Sequence, residues 1–235
     1  MQIEASALSV ERGGRVIFAG LGFGLRAGEA LLVKGPNGAG KSTLLRALAG
    51  LLPLASGDIR ITPATEARLD HDDFGSIRSK IMNVIDFKGL ERDSGEKPGS
   101  TFSHPALAAL CHYIGHADAL KPALTLAENL AFYAALLGGG EIAAALARLG
   151  LAGIADLPAA YLSAGQKRRA ALARLVAVAR PIWLLDEPLT ALDTMSQTIV
   201  GELMREHLEM GGLIVAATHA PLPIAARDLV LGRPL

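Results

Sequence analysis

Residues Gly35-Pro36-Asn37-Gly38-Ala39-Gly40-Lys41-Ser42 fit the phosphate-loop pattern G-x-x-x-x-G-K-[ST] in full. The residue types suit the task. Gly35, Gly38 and Gly40 let the backbone curl so that its N–H groups turn toward phosphate oxygens. The start of a following helix adds partial positive charge. Lys41 reaches for the β- and γ-phosphates, the Ser42 hydroxyl completes a magnesium ligand set, and Thr43 can bond near the α-phosphate. A plain glycine turn before a helix is the competing reading. The complete motif, with an apolar strand before it and a helical pattern after it, argues against that.

A second constellation is Ile182-Trp-Leu-Leu-Asp186-Glu187-Pro188, an apolar run ending in two adjacent acids. Side chains alternate along a strand, so the two acids point differently and can hold two roles. Taken alone, such a pair reads as a solvated loop. At a strand end beside a phosphate loop, Asp186 would hold magnesium through its water shell, and Glu187 could polarise an attacking water as general base.

These residues need a scaffold, and the pattern supplies one. Alternation over Ile3 to Val10 and Val16 to Leu25 predicts antiparallel strands joined by a turn at Arg12-Gly13-Gly14. Glu29 to Lys34 reads as a buried strand entering the glycine loop, and Ser42 to Ala49 as a helix that Gly50 stops. A further strand is expected near Ile59 to Ile61. From His104 to Ala179 the pattern is mostly helical, with helices at Leu126 to Leu137, Glu141 to Leu149 and Ala164 to Ala179. Ile182 to Leu185 and Leu213 to Thr218 read as buried strands, Thr194 to Glu209 as a helix, and Leu229 to Leu231 as a last short strand. Strands alternating with helices predict an α/β fold with a mainly parallel sheet covered on both faces. Residues 64–100 are charged at about twice the density of the whole chain, which is 20% charged. They end in DSGEKPGS and read as a surface insertion, partly ordered at best, with a short element possible at Ile81 to Phe87.

Composition sets the limits. The chain has 235 residues and is 51% hydrophobic, enough for one domain with an inserted lobe. Lys and Arg number 23, as do Asp and Glu, so nothing suggests a nucleic-acid-binding surface. One cysteine, Cys111, excludes an intrachain disulfide. No run is apolar enough for a transmembrane helix, and MQIEASALSVERGG does not resemble a signal peptide. A soluble intracellular domain is the expectation.

Three further motifs carry a resemblance. Leu162-Ser163-Ala164-Gly165-Gln166 resembles the signature loop of ATP-binding-cassette ATPases, usually LSGGQ. Thr190-Ala-Leu-Asp193 resembles their D-loop, and His219 resembles their switch histidine. With the phosphate loop and the Asp186-Glu187 pair, five motifs in order cover nearly the whole chain. The resemblance implies a P-loop ATPase of cassette type over residues 1–235: a mainly parallel core, an antiparallel β subdomain and a helical subdomain at about 104–170. Ser163 is an N-cap type and Gly165 permits close approach, so a second anion-binding helix start is present. In cassette ATPases that loop covers the γ-phosphate held by a partner chain, which implies a head-to-tail C2 homodimer binding ATP and Mg2+.

Two positions depart from the family. Where a glutamine is usual, counting back from Thr125 gives His116. Imidazole can accept from a metal-bound water, but as a class it titrates near neutrality. Where an aromatic residue usually stacks on adenine, the chain has Arg12, whose guanidinium can stack on a purine face. The segments Tyr113-Ile-Gly-His116, Leu124-Thr125-Leu-Ala-Glu128-Asn129-Leu-Ala-Phe132-Tyr133 and Leu162-Ser-Ala-Gly-Gln-Lys-Arg-Arg are similar to the ATPase subunits of cytochrome c biogenesis exporters. That resemblance implies haem handling for c-type cytochromes on the cytoplasmic face of the inner membrane, with an integral membrane (CcmB-like) transporter subunit docked on the helical lobe. Leu120, Leu124, Phe132 and Tyr133 are candidates for that surface or for plain core. An ATPase for another small-solute transporter, a soluble scaffold ATPase in cofactor assembly and an ordinary P-loop kinase, which would need neither Ser163 nor Gly165, remain the alternatives.

Overall fold

The computed structural model describes residues 1–62 and 109–232. The expected insertion at 64–100, with the element at Ile81 to Phe87, lies outside the described residues, as does the start of the expected helical lobe at His104.

Two long strands, β1 (Gln2–Arg12) and β2 (Arg15–Arg26), form the expected antiparallel hairpin, with β4 (Ser56–Thr62) antiparallel on the other side of β1. A second sheet runs in the order β5 (Cys111–Ile114), β6 (Ile182–Asp186), β7 (Leu213–Ala217), β3 (Ala30–Lys34), β8 (Arg227–Val230), and every pairing in it is parallel. The helices are α1 (Lys41–Leu48), α2 (Leu126–Leu136), α3 (Ile142–Arg148), α4 (Ala164–Ala177) and α5 (Thr194–Glu209).

The period-2 alternation of strands divides the interior in two. On β7, Leu213, Val215 and Ala217 join a core with α1 and the antiparallel sheet, while Ile214 and Ala216 join one with α4 and α5. On β6 the same split sends Ile182 and Leu184 one way and Trp183 and Leu185 the other. Strands buried on both faces read as unbroken apolar runs, which is why ALLVK, IWLLD and LIVAA were recognisable.

One element was missed. Within the mostly helical span 104–179, Cys111–Ile114 is strand β5, paired in parallel with β6 from Cys111↔Ile182 to Ile114↔Leu185. The segment CHYI carries His and Tyr and has no alternation of its own, so its strand character comes from pairing with β6. The helical subdomain accordingly follows β5 instead of enclosing it.

Helix ends match their sequence signals. Gly50 lies at φ +72°; its N–H donates to the Ala47 carbonyl, and Leu51 N–H donates to the Arg46 carbonyl, closing α1 in the double-bonded turn that favours glycine. Thr125 and Glu128 form a capping box at the start of α2, and Ser163 and Gln166 form another at the start of α4.

Candidate functional site

At the C-terminal end of β3 the chain turns through residues 35–40 into α1. Gly40 is the residue before the helix, at φ +96° and ψ 13°, with no side-chain cap on the helix start. A Cβ there would stand 2.6 Å from Ile17 Cγ2, so only glycine lets β2 close over the loop. The first N–H groups of α1 are thus left free of side-chain caps. Lys41 Nζ lies over its own loop, donating to the Gly35 carbonyl (2.9 Å) and the Pro36 carbonyl (3.1 Å). Ala39 is buried and its N–H donates to the Pro36 carbonyl, which fixes the curl of the loop.

β6 ends beside this loop. Asp186 is 4% exposed, and its Oδ2 has no hydrogen-bond partner among the described residues. Buried polar atoms are almost always paired, so an orphaned oxygen on a carboxylate that lines a cleft calls for a partner from outside the chain. Glu187 is held differently. Its backbone is left-handed (φ +49°), and its N–H donates to the Ala217 carbonyl at the end of β7. Its Oε2 accepts from Thr218 Oγ1 (2.9 Å) and its Oε1 from His219 N–H (3.2 Å). The adjacent acids therefore have different environments, as strand alternation requires.

A cleft of about 370 Å3 gathers Arg12, Ile17, Asn37, Gly38, Gly40, Lys41, Ser42, Thr43, His116, Asp186, Glu187 and His219. Arg12 enters it from the end of β1, Ile17 from β2, His116 from the loop after β5, the two acids from the end of β6 and His219 from the segment after β7, so the ends of five strands, the glycine loop and the start of α1 converge on one hollow. Gly35, Pro36 and Ala39 do not line it; the carbonyls of Gly35 and Pro36 hold the Lys41 ammonium instead.

Ser163, Gly165, Gln166 and Asp193 are absent from that cleft. Ser163 sits exposed at the start of α4, and its hydroxyl accepts from Gln166 N–H. A Cβ at Gly165 would lie 2.9 Å from the Ala191 carbonyl, so the turn before α5 packs directly on the start of α4. Asp193 caps α5 by accepting from Ser196 N–H (2.8 Å), and those hydrogen bonds hold its carboxyl below the usual carboxylate range. These four residues form a second group, at two neighbouring helix starts.

Thr218 and Arg168 were not anticipated. Thr218 stands directly before His219 at the end of β7, and a hydroxyl at that strand end was the only sequence signal. Arg168 lies in the run Lys167-Arg168-Arg169, which in sequence looks like a solvated face, yet it is 3% exposed.

A glycine-rich turn followed by lysine and serine, between a buried parallel strand and a helix, with a carboxylate from a neighbouring strand end, defines a P-loop nucleotide-binding domain. Comparison with known proteins narrows the class. The profile of the ABC transporter family matches residues 18–190. The cytochrome c biogenesis ATP-binding export protein CcmA of Rhodopseudomonas palustris (strain BisB5) is 47% identical, the match covering 99% of this chain and 98% of that protein. The CcmA protein of Bradyrhizobium diazoefficiens is 46% identical over the same shares. A solved structure titled as a putative ABC transporter ATP-binding protein from Pyrococcus furiosus superposes with a TM-score of 0.71, at 19% identity and 98% coverage of both chains, and supports the fold. The chain belongs to the ABC transporter family, grouping there with the cytochrome c biogenesis ATP-binding export proteins, and it is an ATP-binding ATPase of that type. Among the described residues no helix is long and apolar enough to cross a membrane.

Proposed function

We propose that this chain is the ATP-hydrolysing subunit of an exporter that handles haem for c-type cytochrome biogenesis. It would work as a homodimer on the cytoplasmic face of the inner membrane, docked on an integral membrane (CcmB-like) subunit. The assignment to cytochrome biogenesis rests on the similarity to the CcmA proteins over nearly the whole chain. Pairing is supported by the separation of the two groups of site residues: the cleft lacks Ser163, Gly165, Gln166 and Asp193, of which Ser163 and Asp193 are exposed at neighbouring helix starts of the same chain. A second anion-binding helix start has a use only if it meets nucleotide held by another subunit.

The N–H groups of residues 35–43, with Lys41, bind the phosphates, and Arg12 stacks on the base. The orphaned Oδ2 of Asp186 and the hydroxyl of Ser42, residues that line the same cleft, suit Mg2+, a hard cation that takes oxygen ligands and keeps several waters. When bound, Mg2+ neutralises developing charge on the phosphate oxygens. Glu187 accepts the proton of the attacking water, with its carboxylate aimed by Thr218 and by His219 N–H. His219 and His116 offer imidazoles toward the γ-phosphate and the water shell. ATP favours the closed pair because only that state brings both groups of residues to one phosphate.

The test is Glu187→Gln in cells and in vitro. The variant is expected to bind ATP like the wild type, to lose turnover, and to leave membranes without haem-stained c-type cytochromes. Normal cytochromes in cells carrying it would defeat the assignment.

A further inference from the structure

One buried side chain ties three parts of the site together. Arg168, in the second turn of α4, donates through Nη2 to the carbonyls of Asp186 and Glu187, each at 2.7 Å. Its Nε donates to the Pro188 carbonyl at 3.3 Å. Its Nη1 reaches the loop that carries His116, donating to the Gly115 carbonyl at 2.9 Å and to Asp118 Oδ1 at 3.1 Å. A guanidinium has five donors in a rigid fork and no acceptor, so this ring of oxygens uses the geometry that distinguishes arginine from lysine. The charge is buried and balanced by Asp118, itself 25% exposed.

The contacts fall where the backbone needs support. Glu187 is left-handed without being glycine, a conformation that persists only when the surroundings over-determine it. Arg168 holds the carbonyl on either side of that residue. Ala119, four residues beyond Gly115, also has positive φ (+53°). Around it, Arg174 Nη2 donates to the Asp118 carbonyl (2.6 Å) and Tyr133 Oη donates to the Ala119 carbonyl (2.6 Å). The Arg174 guanidinium lies 4.3 Å from the centre of the Tyr133 ring. The loop after β5 is therefore fastened to α4 and α2, and through Arg168 to the peptide that presents Glu187.

We propose that Arg168 is a positioning residue for hydrolysis: it holds Glu187 in its left-handed conformation and locks the His116 loop to the same point, so that α4, the carboxylate and that loop move as one unit. The hydrolytic part of this inference rests on the reading of Glu187 as the general base. Displacement of α4 by a docked partner would then reach the carboxylate directly, without a chain of loosely packed intermediates.

The test uses the full chain as wild type, Arg168→Met, Arg168→Lys and Arg169→Gln. Arg169 bonds the carbonyls of Leu149 and Gly150 and touches none of the catalytic peptides, so it controls for a merely structural arginine. Misplacement of a reacting group by about 1 Å can cost on the order of 100-fold, so kcat should fall ~30- to 100-fold in Arg168→Met. The Kd of a fluorescent ATP analogue should stay within about twofold of wild type, because ground-state binding is untouched. Arg168→Lys should fall between, and Arg169→Gln should keep kcat. If Arg168→Met does not fold, Arg168→Lys carries the test alone. A kcat kept at the wild-type value, or a loss that appears in Kd and not in kcat, overturns the proposal. Hydrogen exchange in peptides covering 115–119 and 186–190 provides a readout independent of turnover. It should rise in Arg168→Met and not in Arg169→Gln, and unchanged exchange rejects the clamp. Wild-type turnover in Glu187→Gln, with exchange raised in Arg168→Met, would instead remove the assignment of the base and leave the clamp standing.

Discussion

Thr218→Val is the most informative single change at the carboxylate. The Thr218 hydroxyl has one proton, and its oxygen accepts from Ala220 N–H at 3.0 Å, so that proton is free to go to Glu187 Oε2 at 2.9 Å. Valine keeps the branched shape in a site that is 4% exposed and removes only the hydroxyl. A hydrogen bond to a charged group contributes about 1.5–3 kcal/mol. If that free energy serves to aim the carboxylate, its loss appears as a fall in kcat of about 10- to 150-fold. The Ala220 amide also loses its acceptor, at a cost of about 1 kcal/mol in stability. Steady-state phosphate release, analogue binding and thermal unfolding separate these effects. Thr218→Ser should restore most of the turnover. Wild-type kcat in Thr218→Val, or a serine variant as slow as the valine one, would refute the argument that this hydroxyl orients the base.

Two further predictions concern the phosphate loop and acid stability. Lys41→Ala removes both the cation and its bonds to the Gly35 and Pro36 carbonyls. ATP affinity should fall by roughly 100-fold or more, since a charge-assisted contact and the shape of the loop go together, and calorimetric titration with ATP would read it. His112 and His207 are buried, and desolvation lowers each imidazole to about 4. His112 Nε2 is 2.7 Å from the Val178 carbonyl, and His207 stacks on Trp183 at 3.9 Å. Below pH 6.5 the unfolded chain gains protons that the folded chain refuses, so stability is lost as pH falls from about 6.5 toward 4 and is flat above that window. Each histidine should account for roughly 3 kcal/mol at the acid end. His207→Phe, which keeps a ring against Trp183, should flatten the slope of urea-unfolding free energy against pH; an unchanged slope would contradict the assignment.

Much of the arrangement was legible because its determinants are local. The strands β3, β6 and β7 are uninterrupted apolar runs, and Gly50, Ser163 and Asp193 mark helix ends by their own chemistry. The glycine loop was legible from its motif alone, although the close approaches that require glycine at Gly35 and Gly40 come from Leu231 and Ile17, distant in sequence. What was hidden depends on contacts distant in sequence. β5 is four residues with no pattern, a strand because β6 lies alongside it. Arg168 looks like its neighbours Lys167 and Arg169 until the fold encloses it beneath the carbonyls of Asp186 and Glu187. Thr218 acquires a role only because the ends of β6 and β7 are adjacent in the sheet. The separation of Ser163 from the cleft is likewise a three-dimensional fact, although a second anion-binding loop with no use in its own chain had already raised the question.

That separation carries the central claim that two chains complete each other around ATP. Disulfide trapping tests it most directly. Protomers carrying Ser163→Cys are mixed with protomers carrying Asn37→Cys, both positions being exposed, in a Glu187→Gln background that retains ATP; the native Cys111 is buried and does not compete. The account predicts a covalent pair of the two protomers when ATP is present and little of it with ADP or without nucleotide. No covalent pair with ATP, or the same yield without it, would contradict the account.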